Sequence, residues 1–504
     1  MTANHDSGGL YLGLDLGTSG LKAIALAASG EVVARADAGY PTSRPGPGAA
    51  EQDPARWIAA VGQAAAVLAA DAPPDRWRAI GLSAMIPTLV TADDAGHPTG
   101  PAITWEDSRA DDQATSLRAI TGAAALYQRT GQWVDGRYLL PMYLRLHGRE
   151  PDRAAATRRL LGAKDYLFWW LTGDAVTDPS TATGFGAYDL LAGDWDGAIL
   201  AAVASLAGGR LPALPRVQPS FAVMPLREQV AASLGCPRIP VCVGAADSVL
   251  GALGLGARSP GQVAYVAGTS TVILGVASGP RLDPHHRFLV TPMAEPGLWG
   301  QEMDLLATGS SLRWLAGLLG TDQAGNTLDE SAVIALAAGV DPAEGPVMLP
   351  YLSPGEQGAL WDPALRGTIA GLTLGHGRRH LARGLVNGIV LESRRCLAVL
   401  EEPGQHGAGQ HGTDLLVAGG SAASAAFRAD LADATGRRVI RPDGHHADFS
   451  ARGAALLAAR ATGHRLPVAQ ANAAASVTEP DPRRAAAWDL AWTEHERVRR
   501  AISG

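Results

Sequence analysis

Lysine is almost absent from this chain: two residues, Lys22 and Lys164, stand against 40 arginines. The bias, together with abundant Ala, Gly and Pro, reads as GC-rich coding, and it makes the two surviving lysines worth following. With 49 acidic residues the formal net charge is −7, so there is no basic field to hold a nucleic acid backbone or an anionic membrane. Cysteine is scarce as well. Cys236, Cys242 and Cys396 form neither a CxxC pair nor an even framework, which fits buried thiols in a reducing cytosol. No apolar stretch approaches the length needed to span a bilayer, and MTANHDSGG lacks the charged start and apolar run of a signal peptide, so a cytoplasmic location is expected. Also missing are GxxxxGK[ST] and the protein-kinase motif set. Gly254-Leu255-Gly256 lacks the third glycine of a dinucleotide fingerprint. His376 and His380 stand four apart with no glutamate between them and no third ligand in view, the start of a surface helix rather than a zinc site.

What remains is the composition of a globular protein, 47% hydrophobic and 18% charged, and 504 residues call for two large domains. Tyr11 to Leu16 is a short apolar run ending in Gly17-Thr18-Ser19-Gly20, after which Leu21 to Ala27 and Glu31 to Ala36 complete a β-meander. Asp53-Pro54 opens a helix, with Asp as N-cap and Pro at the first helical position. Arg78 to Ser83 and Thr88 to Thr91 read as strands around Met85-Ile86-Pro87. Lys164 to Leu171 reads as a buried helix stopped at Gly173. Pro240 to Gly244 is a strand that delivers Asp247 to its C-terminal end, with a helix from Val249. A linker at 257–261 follows, and then the plan restarts: strand 262–266, the turn Gly268-Thr269-Ser270, strand 272–276. A duplicated architecture is the natural interpretation, with domains at 1–256 and 257–504. Further on, helices are predicted over 378–400, 422–434 and 452–459, and strand 414–417 runs into Gly419-Gly420-Ser421.

Asp15 stands at a strand end beside a turn of small residues, where backbone N–H groups approach phosphate oxygens and a carboxylate can hold Mg²⁺. An ordinary hairpin turn with a structural Asp fits the same spacing. Gly268 to Ser270 repeats the device and, alone, is as well read as a plain turn. Gly419-Gly420-Ser421 either lets a nucleotide lie against a helix N-terminus or makes a tight strand-to-helix connection. Asp247 is the best general-base candidate, and it is equally placed to be an N-cap.

Nine stretches in order along the chain resemble the FGGY family of carbohydrate kinases: YLGLDLGTSGLKAIAL, EQDPARW, ITWEDSRADD, KDYLFWWLTGD, GAADSVLGALGLG, VAGTSTVILGV, LPYLS, GLTLGHGRRHLARGLVNGIVLE and LLVAGGSAAS. The first and fourth are most similar to xylulose kinases. The resemblance implies an α/β protein of two actin-like (ribonuclease H-like) domains with an interdomain active-site cleft, the first domain carrying the sugar side and the second the nucleotide. It implies ATP and Mg²⁺ as cofactors and Asp247 as catalytic base. Asp15 falls on the metal position, and Gly17, Thr18, Ser19 and Lys22 on the first phosphate loop. Gly268 and Thr269 match the second loop, Gly309 and Arg313 the nucleotide lining, and Gly419, Gly420 and Ser424 the adenine side. Met85, Ile86 and Trp105, with Asp247 and Ser248, fall on sugar-contact positions. A homodimer and a small sugar or polyol substrate also follow from the resemblance, with no nucleic acid or membrane partner.

The departures bear on substrate. Where xylulose kinases carry Met-His, this chain has Met85-Ile86; Ser248 replaces the Asn after the base; Pro141 replaces a basic residue. An apolar Ile86 binds no hydroxyl, and a polyol group buried against it forfeits a hydrogen bond at a cost of about 1–3 kcal/mol. The expected activity is ATP-dependent phosphorylation of a terminal hydroxyl, of a ketopentose such as xylulose in the first place. Glycerol, erythritol, ribulose or gluconate are the other substrates to consider. A silent sugar- or ATP-binding regulator and an actin-like filament former are the rivals from other classes.

Overall fold

The computed structural model describes residues 8–321, 325–353, 358–362, 364–402, 414–442, 448–467 and 476–502. Two compact units divide the chain. Unit 1 takes residues 1–256, 290–299 and 448–470; unit 2 takes 257–289, 300–447 and 471–504.

Unit 1 is built on a mixed sheet. Strands β1 (Leu10–Leu16), β2 (Gly20–Ala27) and β3 (Val32–Gly39) are antiparallel in sequence order, as the meander pattern predicts. β4 (Trp77–Ala84) lies parallel to β1, β6 (Pro240–Cys242) parallel to β4, and β5 (Val223–Pro225) antiparallel at the edge. A two-residue strand, β7 (Ala245–Ala246), rejoins β4 after a break at Gly244, whose φ of 81° only glycine adopts freely. Helix α1 (Pro54–Asp71) begins as its sequence predicts, with the Asp53 side chain accepting from the Ala55 N–H at 2.9 Å. α2 (Ala163–Thr172) ends at a left-handed Gly173. α3 (Pro179–Thr183) is short and entirely buried after its proline, and α4 (Asp247–Leu255) follows β7 directly. Trp57, Trp77 and Phe168 are almost completely inaccessible and centre the main core.

The helix Phe449–Ala461, close to the end of the chain, packs on β1, β4 and α4 and so belongs to unit 1. Its buried residues are mostly small, Ala451, Gly453, Ala454, Ala455, Ala458 and Ala459, with Leu456 and Leu457 among them. The sequence pattern predicts this helix but carries no signal of where it docks.

Unit 2 repeats the plan. β8 (Val263–Ala267) and β9 (Thr271–Ala277) form the hairpin around Gly268 to Ser270. β10 (Asp414–Gly419) lies parallel to β8, β11 (Arg438–Arg441) parallel to β10, and β12 (Ser476–Thr478) antiparallel at the edge. Hairpin, two parallel strands and an antiparallel edge strand thus recur in the same order across the sheet in both units, as the repeated turn suggests. Along the chain, however, the edge strand precedes the second parallel strand in unit 1 and follows it in unit 2. Helices α5 (Gly309–Leu319), α6 (Glu330–Ala338) and α7 (Arg378–Glu401) follow the hairpin, and α8 (Ala485–Ile502) closes the chain. Inside this unit Glu392 of α7 is inaccessible. It accepts from Tyr351 at 2.8 Å, faces His495 Nε2 at 2.7 Å and pairs with Arg395 at 3.0 Å. Burial alone would raise its pKa; Arg395 and His495 outweigh it and hold the carboxyl down to about 2.

Two expectations are corrected. Asp247 is not the N-cap of a helix from Val249: Ala246 takes that position and Asp247 is the first helical residue. The predicted helix 422–434 is two pieces, Gly420–Ala423 and Ala425–Thr435, because Ser424 leaves helical geometry at ψ 125° to cap the second. Among the described residues no helix is long and apolar enough to cross a membrane.

Candidate active site

In unit 1 three parallel strand ends set the geometry. Asp15 is in register with Ser83 on β4, and Ser83 with Ala245 on β7. Neighbouring strands are about 4.8 Å apart, so the residues just past β7, Asp247 and Ser248, emerge on the same sheet edge about two strand spacings from Asp15. Both are partly exposed. The Asp247 carboxylate Oδ1 accepts from the Ser248 N–H at 2.9 Å, and its backbone carbonyl accepts from Ser450 Oγ at 3.0 Å.

The β1–β2 turn is tied down from several sides. Gly17 N–H donates to Gly20 O at 3.0 Å, and Tyr40 OH donates to Gly17 O at 2.6 Å. Gln52 Nε2 donates to Thr18 O at 2.7 Å, and Trp105 Nε1 donates to Thr18 Oγ1 at 3.0 Å. That last bond joins a residue expected beside the sugar to the residue expected at the phosphates. Asp15 Oδ1 accepts from Ser83 Oγ at 2.7 Å, and Lys22 is its cross-strand partner. Burial raises the Asp15 pKa most; Ser83 and Lys22 pull it down, and the nearby Asp448 pushes it up. A half-buried carboxylate with a second acid in electrostatic reach is the environment a divalent cation relieves. The residues present therefore fit Mg²⁺, which Asp15 would hold.

The remaining unit 1 candidates separate. Met85 sits in the core at 1% exposure, its N–H donating to Leu16 O at 2.9 Å, so the partly exposed member of the pair is Ile86. The Ile86–Pro87 bond is cis. Ser19 is exposed at the tip of the turn, and Pro141 is buried in the first turn of the helix Leu139–Arg149, where a missing N–H costs nothing.

In unit 2 the turn, one helix start and one strand end converge. Gly268 N–H donates to Ser270 O at 2.8 Å, and Ser310 N–H, in the first turn of α5, donates to Thr269 O at 3.1 Å. A Cβ on Gly309 would stand 2.3 Å from Gly268 O, so only glycine admits this approach. Gly419 is paired with Ala267 across β10 and β8; its φ is 94°, and a Cβ there would meet Ala267 O at 2.1 Å. Gly268, Thr269 and Gly420 are exposed, leaving backbone open to a ligand. Arg313 pairs with Glu330 at 2.6 Å, and Glu330 in turn lies beside Gly420. Ser424 Oγ accepts from Phe427 N–H at 3.4 Å as a helix cap.

Sequence reasoning overlooked Ser83, Gln52, Tyr40 and Asp448 in unit 1, and Ser310 and Glu330 in unit 2. Strand register could have found Ser83, since alignment of two parallel apolar strands sets it beside Asp15. The others depend on tertiary docking and leave no local signal. Among the described residues no group of three His, Cys, Asp or Glu gathers to hold a metal; His376 Nδ1 accepts from Thr373 N–H and His380 Nδ1 from Gly377 N–H, each at 3.1 Å.

Residues 10–254 match the N-terminal domain of the FGGY family of carbohydrate kinases, and residues 263–462 match its C-terminal domain. A xylulose kinase of Escherichia coli (strain K12) is 31% identical over 431 residues, 85% of this chain and 86% of the relative. A gluconokinase of Bacillus subtilis (strain 168) is 27% identical over 468 residues, 90% of this chain and 87% of the relative. The crystal structure of a xylulose kinase from Rhodospirillum rubrum is 31% identical, superposes with a TM-score of 0.86 and covers 98% of this chain and 99% of its own. The chain, with both family domains in order and the two-domain actin-like α/β fold, belongs to the FGGY carbohydrate kinases, ATP-dependent phosphotransferases with an alcohol as acceptor.

Proposed function

We propose that this kinase phosphorylates a terminal hydroxyl of a small open-chain sugar, a ketopentose of the xylulose type. The observation that supports the reading is the strand register of unit 1, in which Asp15, Ser83 and Ala245 lie side by side, with the turn that holds Thr18, bonded to Trp105, following Asp15 and Asp247 following Ala246. Asp247 accepts the proton of the acceptor hydroxyl as that oxygen attacks the γ-phosphorus of ATP; the β–γ bridging oxygen leaves with ADP. Trp105 covers one side of the sugar. Thr18 and the backbone N–H groups of the Gly17–Ser19 turn face phosphate oxygens, with Lys22 adding positive charge. In unit 2, Gly268, Thr269 and the first turn of α5 at Gly309 bind the phosphates, and Gly419, Gly420, Arg313 and Ser424 border the base and ribose. Asp15 would hold Mg²⁺, whose charge offsets that of the phosphates.

Ile86 sets the finer specificity. It presents carbon where xylulose kinases carry a histidine, so the acceptor that fits best is shorter, deoxygenated or posed so that no hydroxyl is buried against it. The test is ADP release from the purified protein with D-xylulose, D-ribulose, D-gluconate, glycerol and erythritol in turn. D-Xylulose is expected to give the highest kcat/KM. Preference for D-gluconate overturns the ketopentose assignment, and ADP release with none of them overturns the catalytic reading.

A further inference from the structure

The backbone that carries Asp247 is irregular. Between β6 and β7 the chain turns through Gly244, where a Cβ would stand 1.8 Å from Leu82 O, and several of its polar groups turn to side chains and loop atoms beyond the main sheet path. Ala246 N–H, immediately before Asp247, donates to Ser180 Oγ at 2.9 Å. Val243 O accepts from Lys164 Nζ at 3.2 Å, and Cys242 Sγ donates to Ser220 O at 3.1 Å.

All three anchors meet at one buried carboxylate. Asp178 has no exposed surface and accepts from Ser180 N–H at 2.9 Å, from Ser180 Oγ, from Thr181 Oγ1 at 2.6 Å and from Ser220 Oγ at 3.2 Å. Lys164 Nζ lies 3.2 Å from Asp178 and 3.1 Å from Asp165, with both side chains of each pair fully buried. Burial works against the Lys164 charge, but Asp165 and Asp178 outweigh it and raise its pKa, so the cation persists. Because Ser180 Oγ gives its proton to Asp178, it turns a lone pair to Ala246 N–H.

Stability alone does not call for this cluster, since a buried ion pair stabilises no better than apolar side chains of the same volume. Nor does composition: in a chain where arginine stands at 40 basic positions, lysine holds this one. A compact ammonium with three donors matches three convergent acceptors, Asp165, Asp178 and Val243 O, which a planar guanidinium does not. Just past the end of α3, a Cβ on Gly184 would stand 3.5 Å from Pro87, the residue after Ile86.

We propose that the Lys164–Asp178–Ser180 cluster is a positioning device that fixes the Asp247 carboxylate for proton transfer, acting through the Ser180–Ala246 hydrogen bond. The inference rests on Asp247 being the base. Its test is a graded series, Ser180→Cys and Ser180→Ala, assayed with D-xylulose, or with whichever screened acceptor turns over fastest. Misplacing a reacting group by an ångström costs about a hundredfold, so kcat is expected to fall about tenfold to a hundredfold in Ser180→Ala and less in Ser180→Cys, which keeps a weak acceptor. KM for ATP should stay close to the parent, the melting temperature should fall because the buried Ala246 N–H and Asp178 carboxylate each lose a partner, and the acidic limb of kcat against pH should shift, because that limb reports the base. If Ser180→Ala does not fold, Ser180→Cys alone carries the test. Parental kcat and pH profile in the folded variants, with Asp247→Asn inactive, overturns the positioning role and leaves the base assignment standing. An active Asp247→Asn overturns both.

Discussion

Asp247→Asn is expected to lower kcat by about 10²–10⁴-fold while leaving nucleotide affinity nearly unchanged. The amide keeps the shape of the carboxylate and its acceptor oxygen for the Ser248 N–H, so the local backbone has no reason to move. What it loses is the ability to take a proton. At about 1.4 kcal/mol per factor of ten, the loss corresponds to about 3–5 kcal/mol of transition-state stabilisation. The competing effect is structural: an acidic residue in the first turn of α4 interacts with the helix dipole, worth about 0.3–1 kcal/mol when exposed. Chemistry therefore dominates, and the melting temperature should barely change. ATP affinity survives because Asp247 is proposed to meet the acceptor hydroxyl and is not among the proposed nucleotide contacts, the Gly17–Ser19 turn and Lys22 of unit 1 and the Gly268, Gly309 and Gly419 segments of unit 2. Steady-state kinetics together with calorimetric titration of ATP check both halves. Near-parental turnover rejects Asp247 as base, and joint loss of ATP binding and turnover rejects a role confined to the acceptor hydroxyl.

Much of this candidate site was legible because it is built from local signals. An apolar run ending in Asp15 and a Gly-Thr-Ser turn is a hairpin by its own chemistry, and the second copy at Gly268 follows the same rule. The N-cap at Asp53 and the stop at Gly173 were equally local. The Asp247 cap was misread because Asp opening a helix looks the same at either position, and the choice was made by the Gly244 break, which starts the helix two residues earlier than the apolar pattern indicates. Ser83, Ser180 and Ser450 were invisible for a different reason. Each is an unremarkable serine until strand register or helix docking brings it to Asp15, Ala246 or Asp247, over sequence separations of 68, 66 and 203 residues.

The docking of the helix Phe449–Ala461 yields a second large effect, on stability. Four glycines line its contacts within unit 1. A Cβ on Gly13 of β1 would stand 1.8 Å from Ala451 O, on Gly81 of β4 2.0 Å from Ala454 O, and on Gly254 of α4 2.0 Å from Phe449 O. A Cβ on Gly453, in the helix itself, would stand 1.9 Å from Leu250 O. All four obstacles are backbone atoms of elements packed on both sides, so no side chain can swing away. Intrinsic propensity and packing then predict opposite signs for Gly453→Ala. Helix propensity favours alanine by about 1 kcal/mol, while overpacking a filled interior costs about 1–3 kcal/mol and more where backbone must shift. Packing should win, lowering the stability of Gly453→Ala by about 2 kcal/mol or more, and Gly81→Ala, with no propensity gain, should lose at least as much. Gly62, on the exposed face of α1 with nothing within 4 Å of a Cβ, is the control, and Gly62→Ala should stabilise by up to about 1 kcal/mol. Thermal melting of the three variants decides it. Gly453→Ala melting at or above the parent means that the 449–461 helix is not seated on these glycines. Its displacement would also carry away Ser450, the donor to the Asp247 carbonyl, so the loss of stability should come with a loss of kcat that Gly62→Ala does not show.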